Sequence, residues 1–115
     1  MLALLLPATL FAPKAVAGAS VAGVTVTEVI AESNGTNTAY FVYVSGPPSG
    51  VAACGTVTSS QYRFALDPTT DVGKAMIANA LTAFTTGASV DIYGLGTCGL
   101  WPDTESAERI VLHSN

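Results

Sequence analysis

The stretch DPTTDVGKAMIANALTAFTTG, residues 67–87, decides the fold because it predicts one helix between two groups of strands. Asp67 can accept hydrogen bonds from the free N–H groups of a first turn, and Pro68 has the fixed φ that suits the first helical position. Gly87 is typical of a helix end. Apolar residues recur between them at the three- and four-residue spacings of a buried face: Val72, Met76, Ala80, Ala83 and Phe84.

Segments with strand-like alternation lie on both sides of this helix. Three precede it and two follow it, and residues 62–66 are predicted as extended chain leading to the helix. The order β-β-β-α-β-β is that of a five-stranded OB barrel, so we predict a mainly β protein with one α-helix and this fold. The predicted strands are Val21 to Ala31, Ala39 to Ser45, Val51 to Ser59, Ser89 to Leu95 and Arg109 to His113.

The first seventeen residues resemble an export signal. Residues 2–11 are an apolar run too short to cross a bilayer, and Ala15-Val16-Ala17 is the small-x-small pattern that precedes a cut at Gly18. No Lys or Arg precedes the run, so a truncated leader, a misplaced start codon or a retained apolar N-terminus stays open. We predict that 1–17 is a signal peptide and that 18–115 is a single OB-fold domain, secreted or periplasmic.

The composition limits the classes of partner that this protein is expected to bind. Half of the residues are hydrophobic and 10% are charged, so ionised groups can cover little of the surface, which favours self-association or a rigid secreted protein. The net charge of −4 becomes −5 when Lys14 leaves with the leader, and this makes nucleic acid a poor partner. After residue 11 the sequence predicts no membrane span.

Two cysteines in an exported chain are most simply a disulfide. Cys54 falls in the predicted third strand and Cys98 just beyond the fourth, so a bond would join the two halves of the barrel across the helix. Two buried free thiols are the alternative.

The face of the helix opposite the predicted core carries small residues and one positive charge, Lys74. A solvated helix of a monomer normally carries more charge, so this face predicts close approach of another subunit. An exposed alanine-rich helix favoured by propensity is the alternative. The predicted interface residues are Ala75, Ala78, Asn79 and Thr82, with Thr70 and Thr85 nearby.

Several short motifs resemble those of enzymes but lack the structural context that the enzyme motifs need. Residues 94–99 fit G-x-G-x-x-G, but Trp101-Pro102 follows where a dinucleotide site needs a helix. Ser49 lacks the spacing of a nucleophile elbow, and His113 is the single histidine. We therefore predict no catalytic residues and no cofactor.

The pattern also predicts no metal site. Both cysteines are assigned to each other, and no second imidazole exists. Asp103, Glu105 and Glu108 could hold calcium weakly, but a solvated acidic loop or helix turn explains them better.

Three stretches resemble the OB-fold B subunits of bacterial AB-type toxins, the subtilase cytotoxin B subunit among them. They are Val51-Ala52-Ala53-Cys54, the helix end Thr82-Ala83-Phe84-Thr85-Thr86-Gly87, and Ala88-Ser89-Val90-Asp91-Ile92-Tyr93. The resemblance spans about Ser20 to Leu112. Members carry a cysteine in strand two where Val42 stands here, so the disulfide of this chain must be connected differently.

The resemblance implies a secreted, non-enzymatic lectin that forms a pentameric ring, binds cell-surface glycans, often sialylated, and can carry a toxic A subunit. It places the glycan site at Ser20, at the entry to strand one, and Tyr93, outward on strand four. Hydroxyls can bond to sugar hydroxyls, and aromatic rings can stack on sugar faces. A stand-alone secreted or periplasmic OB module that binds a protein or small ligand, or that is purely structural, is the alternative.

Overall fold

Five strands and one helix make up the fold. The computed structural model of the chain describes residues 18–50, 52–55 and 62–115, so the predicted signal peptide at 1–17 lies outside the described residues. The elements are β1 (Ser20–Ser33), β2 (Thr38–Val44), β3 (Arg63–Leu66), α1 (Asp71–Thr86), β4 (Ser89–Gly94) and β5 (Ala107–Leu112). The predicted mainly β composition and the order β-β-β-α-β-β are therefore confirmed.

The strands form one antiparallel sheet in the order β3-β2-β1-β4-β5. The long strand β1 pairs with β2 along one half and with β4 along the other, and its register shifts between Val21 and Val24 and between Val26 and Glu28. Such irregularities bend a strand. The edge strands approach at a single parallel bridge, Ala65 to Ser106, so the described sheet is not closed into the predicted barrel.

The third strand lies later in the chain than predicted. The prediction at Val51 to Ser59 is wrong in its described part, because Ala53 and Cys54 lie in a turn in which Gly55 N–H donates to the Ala52 carbonyl at 2.9 Å. Residue 51 and residues 56–61 lie outside the described part of the chain. The strand is β3 instead, in the segment predicted as extended chain, where Phe64 and Leu66 face the core.

The helix also begins later than predicted. Thr70 is the N-cap, and its Oγ1 accepts a hydrogen bond from Gly73 N–H at 2.9 Å. Asp67 instead accepts hydrogen bonds from the backbone N–H and the hydroxyl of Thr69 at 2.8 and 2.6 Å. Gly73 permits this turn because a Cβ there would clash with the Asp67 carbonyl oxygen. Gly87 ends α1 as predicted, with φ 76°, a conformation that favours glycine.

Small residues let α1 lie close to the sheet. Gly73, Met76, Ala80 and Ala83 are buried, whereas Val72 and Phe84 are 65% and 51% exposed, so their predicted burial is wrong. Because glycine and alanine are small, the helix lies close to the sheet and buries only a narrow face. Val72 and Phe84 lie at the edges of that face and stay exposed to solvent. The largest core side chains of the inner sheet face are Phe64, Leu66, Ile92, Val42 and Val90.

The predicted disulfide is confirmed: Cys54 and Cys98 are bonded, with their Cα atoms 6.2 Å apart. The bond joins the turn at 52–55 to the loop between β4 and β5. It encloses β3, α1 and β4 in a loop 44 residues long in sequence separation.

Candidate functional site

Four polar side chains form one row across the sheet. Ser20 pairs with Tyr93 between β1 and β4, and Tyr93 pairs with Arg109 between β4 and β5. Ser49, in the loop after β2, forms an isolated bridge with Ser20. Residues directly opposite each other in an antiparallel pair project from the same face. We call Ser49, Ser20, Tyr93 and Arg109 the Ser20 row.

The structure thus brings together Ser20 and Tyr93, the two residues to which the resemblance to toxin B subunits assigned glycan binding. Ser20 and Tyr93 are half-buried, and Ser49 and Arg109 are exposed. Tyr93 lies opposite the core side of β4, where Val90 and Ile92 are fully buried, as its alternation predicted.

Direct contacts hold the row together. The backbones of Ser20 and Ser49 exchange two hydrogen bonds of 2.9 Å, and their Oγ atoms lie 3.5 Å apart. The Arg109 Cζ atom lies 4.3 Å from the centre of the Tyr93 ring, in a cation–π contact. The row therefore offers two hydroxyls, a phenol and a guanidinium within one strip of surface.

This set suits a ligand with hydroxyl groups and one acidic group. Serine and tyrosine hydroxyls both donate and accept hydrogen bonds, and a guanidinium pairs with a carboxylate. Ser49 and Arg109 were not identified from the sequence as site residues. Neither could have been found from local pattern, because burial along β5 does not alternate and Ser49 reaches the row only through long-range pairing.

Asp91 lies beside the row on the same face of β4. Its carboxylate accepts a hydrogen bond from Gly23 N–H at 2.8 Å and lies 3.0 Å from His113 Nε2. The Gly23 N–H, followed by His113, lowers the pKa of Asp91 below its ordinary value of 3.8. Gly23 lies in the irregular part of β1 with φ 64°, so Asp91 holds the bend that follows Ser20. His113 is thus an exposed partner of Asp91.

The acidic residues after β4 have separate roles. Asp103 forms an ion pair with Arg63 at 3.1 Å, and Glu108 is exposed on β5. Glu105 is buried, so its predicted place in a solvated acidic loop is wrong. No group of three or more His, Cys, Asp or Glu side chains in the described residues is placed to hold a metal ion.

The outer face of β2 and β3, where OB folds bind ligands, is filled by the chain itself. The Phe41 ring meets Trp101 edge-on at 5.1 Å between centres, and the Arg63 guanidinium lies 4.3 Å above Phe41. Arg63 also donates to Thr104, Tyr43 and Asp103 at 2.9–3.1 Å. This cluster fixes the loop between β4 and β5 on the sheet, so this part of the outer face is covered, whereas Ser49 and Arg109 of the Ser20 row are exposed.

All four predicted interface residues lie on α1, and three of them are exposed, as the prediction requires. Ala75, Ala78 and Thr82 are exposed, whereas Asn79 is half-buried and its Nδ2 donates to the Ile110 carbonyl at 3.2 Å.

Larger apolar side chains flank these residues. Leu81 is 46% exposed and Phe84 is 51% exposed, and both lie on the same side of the helix as Ile77. At the other end, Val72 lines a cleft of about 380 Å³ together with Met76 and Leu95.

Comparison with models of protein families, with curated proteins and with solved structures found no match to this chain. Among the described residues, no helix combines the length and the apolar character needed to cross a membrane.

Proposed function

We propose that this chain is a secreted, non-enzymatic glycan-binding protein of the OB fold that assembles into a homo-oligomeric ring. The fold part of the proposal is supported by the strand order and by the position of α1 between β3 and β4. The Ala65–Ser106 bridge adds support, because a parallel contact between the last strand and the third would close such a barrel in part.

The Ser20 row is the observation that carries the glycan proposal. Its hydroxyls and its aromatic ring match the groups that sugars present, and Arg109 adds a charge for an acidic sugar. A strip this small supplies few contacts, so we expect single-site affinities between micromolar and millimolar. Several copies of the site in one particle would raise the effective affinity.

The exposed face of α1 supports assembly. It combines small residues, Ala75, Ala78 and Thr82, with exposed Leu81 and Phe84. Small residues permit close approach of a second copy, and the larger side chains supply apolar area to bury. A ring of five, with a toxic A subunit as a further partner, follows from the resemblance to toxin B subunits. The disulfide is typical of an exported protein.

The cleft beside Val72 favours a second candidate function. Its walls include Met76, Leu95 and Leu100. Its volume lies within the range of about 300–1,000 Å³ that is typical of small-molecule pockets, although polar residues such as Thr70 and Thr97 also line it. A stand-alone secreted or periplasmic OB module with a small ligand is therefore the alternative.

A glycan array probed with the assembled, disulfide-bonded protein tests the proposal. We expect binding to a subset of glycans that carry an acidic sugar, and loss of that binding after the acidic sugar is removed enzymatically. An array with no bound glycan would reject the glycan proposal and favour the stand-alone module.

A further inference from the structure

A buried carboxylate joins three parts of the chain at the start of β1. Glu105 is 3% exposed, and its Oε2 accepts hydrogen bonds from Ala19 N–H at 2.9 Å and Gly96 N–H at 2.8 Å. Its Oε1 accepts one from Ala52 N–H at 3.1 Å and shares the Ala19 N–H at 3.2 Å. Backbone N–H groups thus solvate this carboxylate, but they carry no net charge.

No cationic side chain among the described residues balances this charge. Arg63 pairs with Asp103, His113 contacts Asp91, and Arg109 lies over the Tyr93 ring. Lys74 is exposed on α1. A buried charge without a counter-charge is costly even when it is hydrogen-bonded.

Gly18 lies directly against this carboxylate. A Cβ at Gly18 would clash with Glu105 Oε2 and with the Gly94 carbonyl oxygen, and a Cβ at Gly94 would also clash with Oε2. Both positions therefore need glycine to make room for Glu105. Standard bond lengths then place the Gly18 nitrogen within about 5 Å of Oε2.

The sequence predicts a cut at this nitrogen, after Ala15-Val16-Ala17. Hydrolysis breaks the C–N bond between Ala17 and Gly18, gives the hydroxyl of water to the Ala17 carbonyl carbon, and leaves a free amine on Gly18. That amine is protonated at neutral pH, because α-amino groups have pKa values of about 7.7–8.0. We infer that removal of residues 1–17 supplies the counter-charge of Glu105, so that the processed N-terminus is captured and β1 is fixed at its start.

This inference goes beyond glycan binding, since it concerns how processing completes the fold. The other charged groups of the described sheet have partners or are exposed. Arg63 pairs with Asp103, Asp91 contacts His113, and Glu108 and Arg109 are exposed on β5. Glu105 should therefore raise the pKa of the Gly18 amine. The added stability is complete below the ordinary pKa of the amine and disappears as the pH rises through the raised value.

The experiment uses the chain exported with its own residues 1–17 and processed by the host. Lys14 and Lys74 are the two lysines, so a Lys74→Arg background leaves the Gly18 amine as the single amine of the processed chain. Intact mass identifies the first residue. Half of the sample is then acetylated, and urea midpoints of both halves are measured at about pH 6.5 and about pH 10, with Glu105→Gln as the matched variant.

We expect acetylation to lower the urea midpoint at the lower pH, to have no effect at the higher pH, and to have no effect in Glu105→Gln. An unchanged midpoint at the lower pH, an equal loss in Glu105→Gln, or a product that starts elsewhere than Gly18 would overturn the inference. If Glu105→Gln does not fold, the pKa of the Gly18 amine is measured instead, from the pH dependence of its acetylation rate in the protein that retains Glu105. An amine pKa above about 8 supports capture, and an ordinary value rejects it.

Discussion

Removal of the disulfide should produce a large loss of stability. The change is the double substitution Cys54→Ala and Cys98→Ala, which leaves no unpaired thiol. The bond joins the turn at 52–55 to the loop that also carries Gly96, one of the donors to Glu105.

The magnitude follows from the size of the closed loop. A cross-link spanning 44 residues lowers the entropy of the unfolded chain by an amount worth about 4 kcal/mol at 25 °C in the chain-entropy model. For a domain of this size, about 4 kcal/mol corresponds to a fall in Tm of about 15–30 °C. Total stabilities of such domains are about 5–15 kcal/mol, so the variant should retain about 1–11 kcal/mol.

Urea and thermal unfolding of the double variant and the wild type, followed by circular dichroism, measure this loss. Wild-type protein under reductant is the matched control, because it loses the bond and keeps both side chains. The two should lose equal stability. A double variant within about 0.5 kcal/mol of the wild type would refute the argument that loop closure stabilises this fold.

Three further predictions concern the helix, the assembly and the sheet. Thr70→Ala should cost about 1 kcal/mol in urea unfolding through loss of the N-cap, and Asp67→Ala should cost less because Asp67 bonds only within the preceding turn; equal losses would contradict this assignment. Ala78→Glu should dissociate the oligomer, as measured by light scattering, whereas Ala31→Glu, at another exposed alanine, should not. A wild-type protein that is monomeric at tens of micromolar would contradict the proposed ring. The pKa of Asp91 is lowered in the folded protein. Its stabilising contribution is therefore present above pH 3.8 and disappears as the pH falls through the lowered pKa. Asp91→Asn should therefore lower the urea midpoint at about pH 7 but not at about pH 2, and a constant difference would oppose it.

Local patterns predicted those parts of the fold that depend on neighbours in sequence. Gly87 ends the helix, and the alternation of β4 places Tyr93 outward and Ile92 inward. The third strand was misplaced because residues 51–59 contain several β-branched residues, whereas Arg63–Leu66 is only four residues long and is fixed by pairing with β2.

Long-range contacts account for what the sequence did not show. The spacing of Val72 and Phe84 fits a buried face, but glycine and alanine bring the sheet close to a narrower stripe. Glu105 follows two polar residues and resembles a solvated acid, yet backbone N–H groups from distant segments surround it. Ser20 and Tyr93 were found through the resemblance.

The central claim is that the Ser20 row binds glycans. It is tested most directly by surface plasmon resonance on a glycan surface with wild-type protein, Tyr93→Ala and Ser89→Ala. Ser89 lies on the same strand and the same outward side as Tyr93 but outside the row, so its variant is the matched control.

Loss of the Tyr93 ring and hydroxyl should cost about 1–2 kcal/mol per site, which is about 5- to 30-fold in affinity, and several sites acting together multiply the loss. We expect Tyr93→Ala to abolish binding while light scattering shows an unchanged particle, and Ser89→Ala to bind as the wild type does. Equal binding by wild type and Tyr93→Ala, or no binding by the correctly assembled wild type, would contradict the claim.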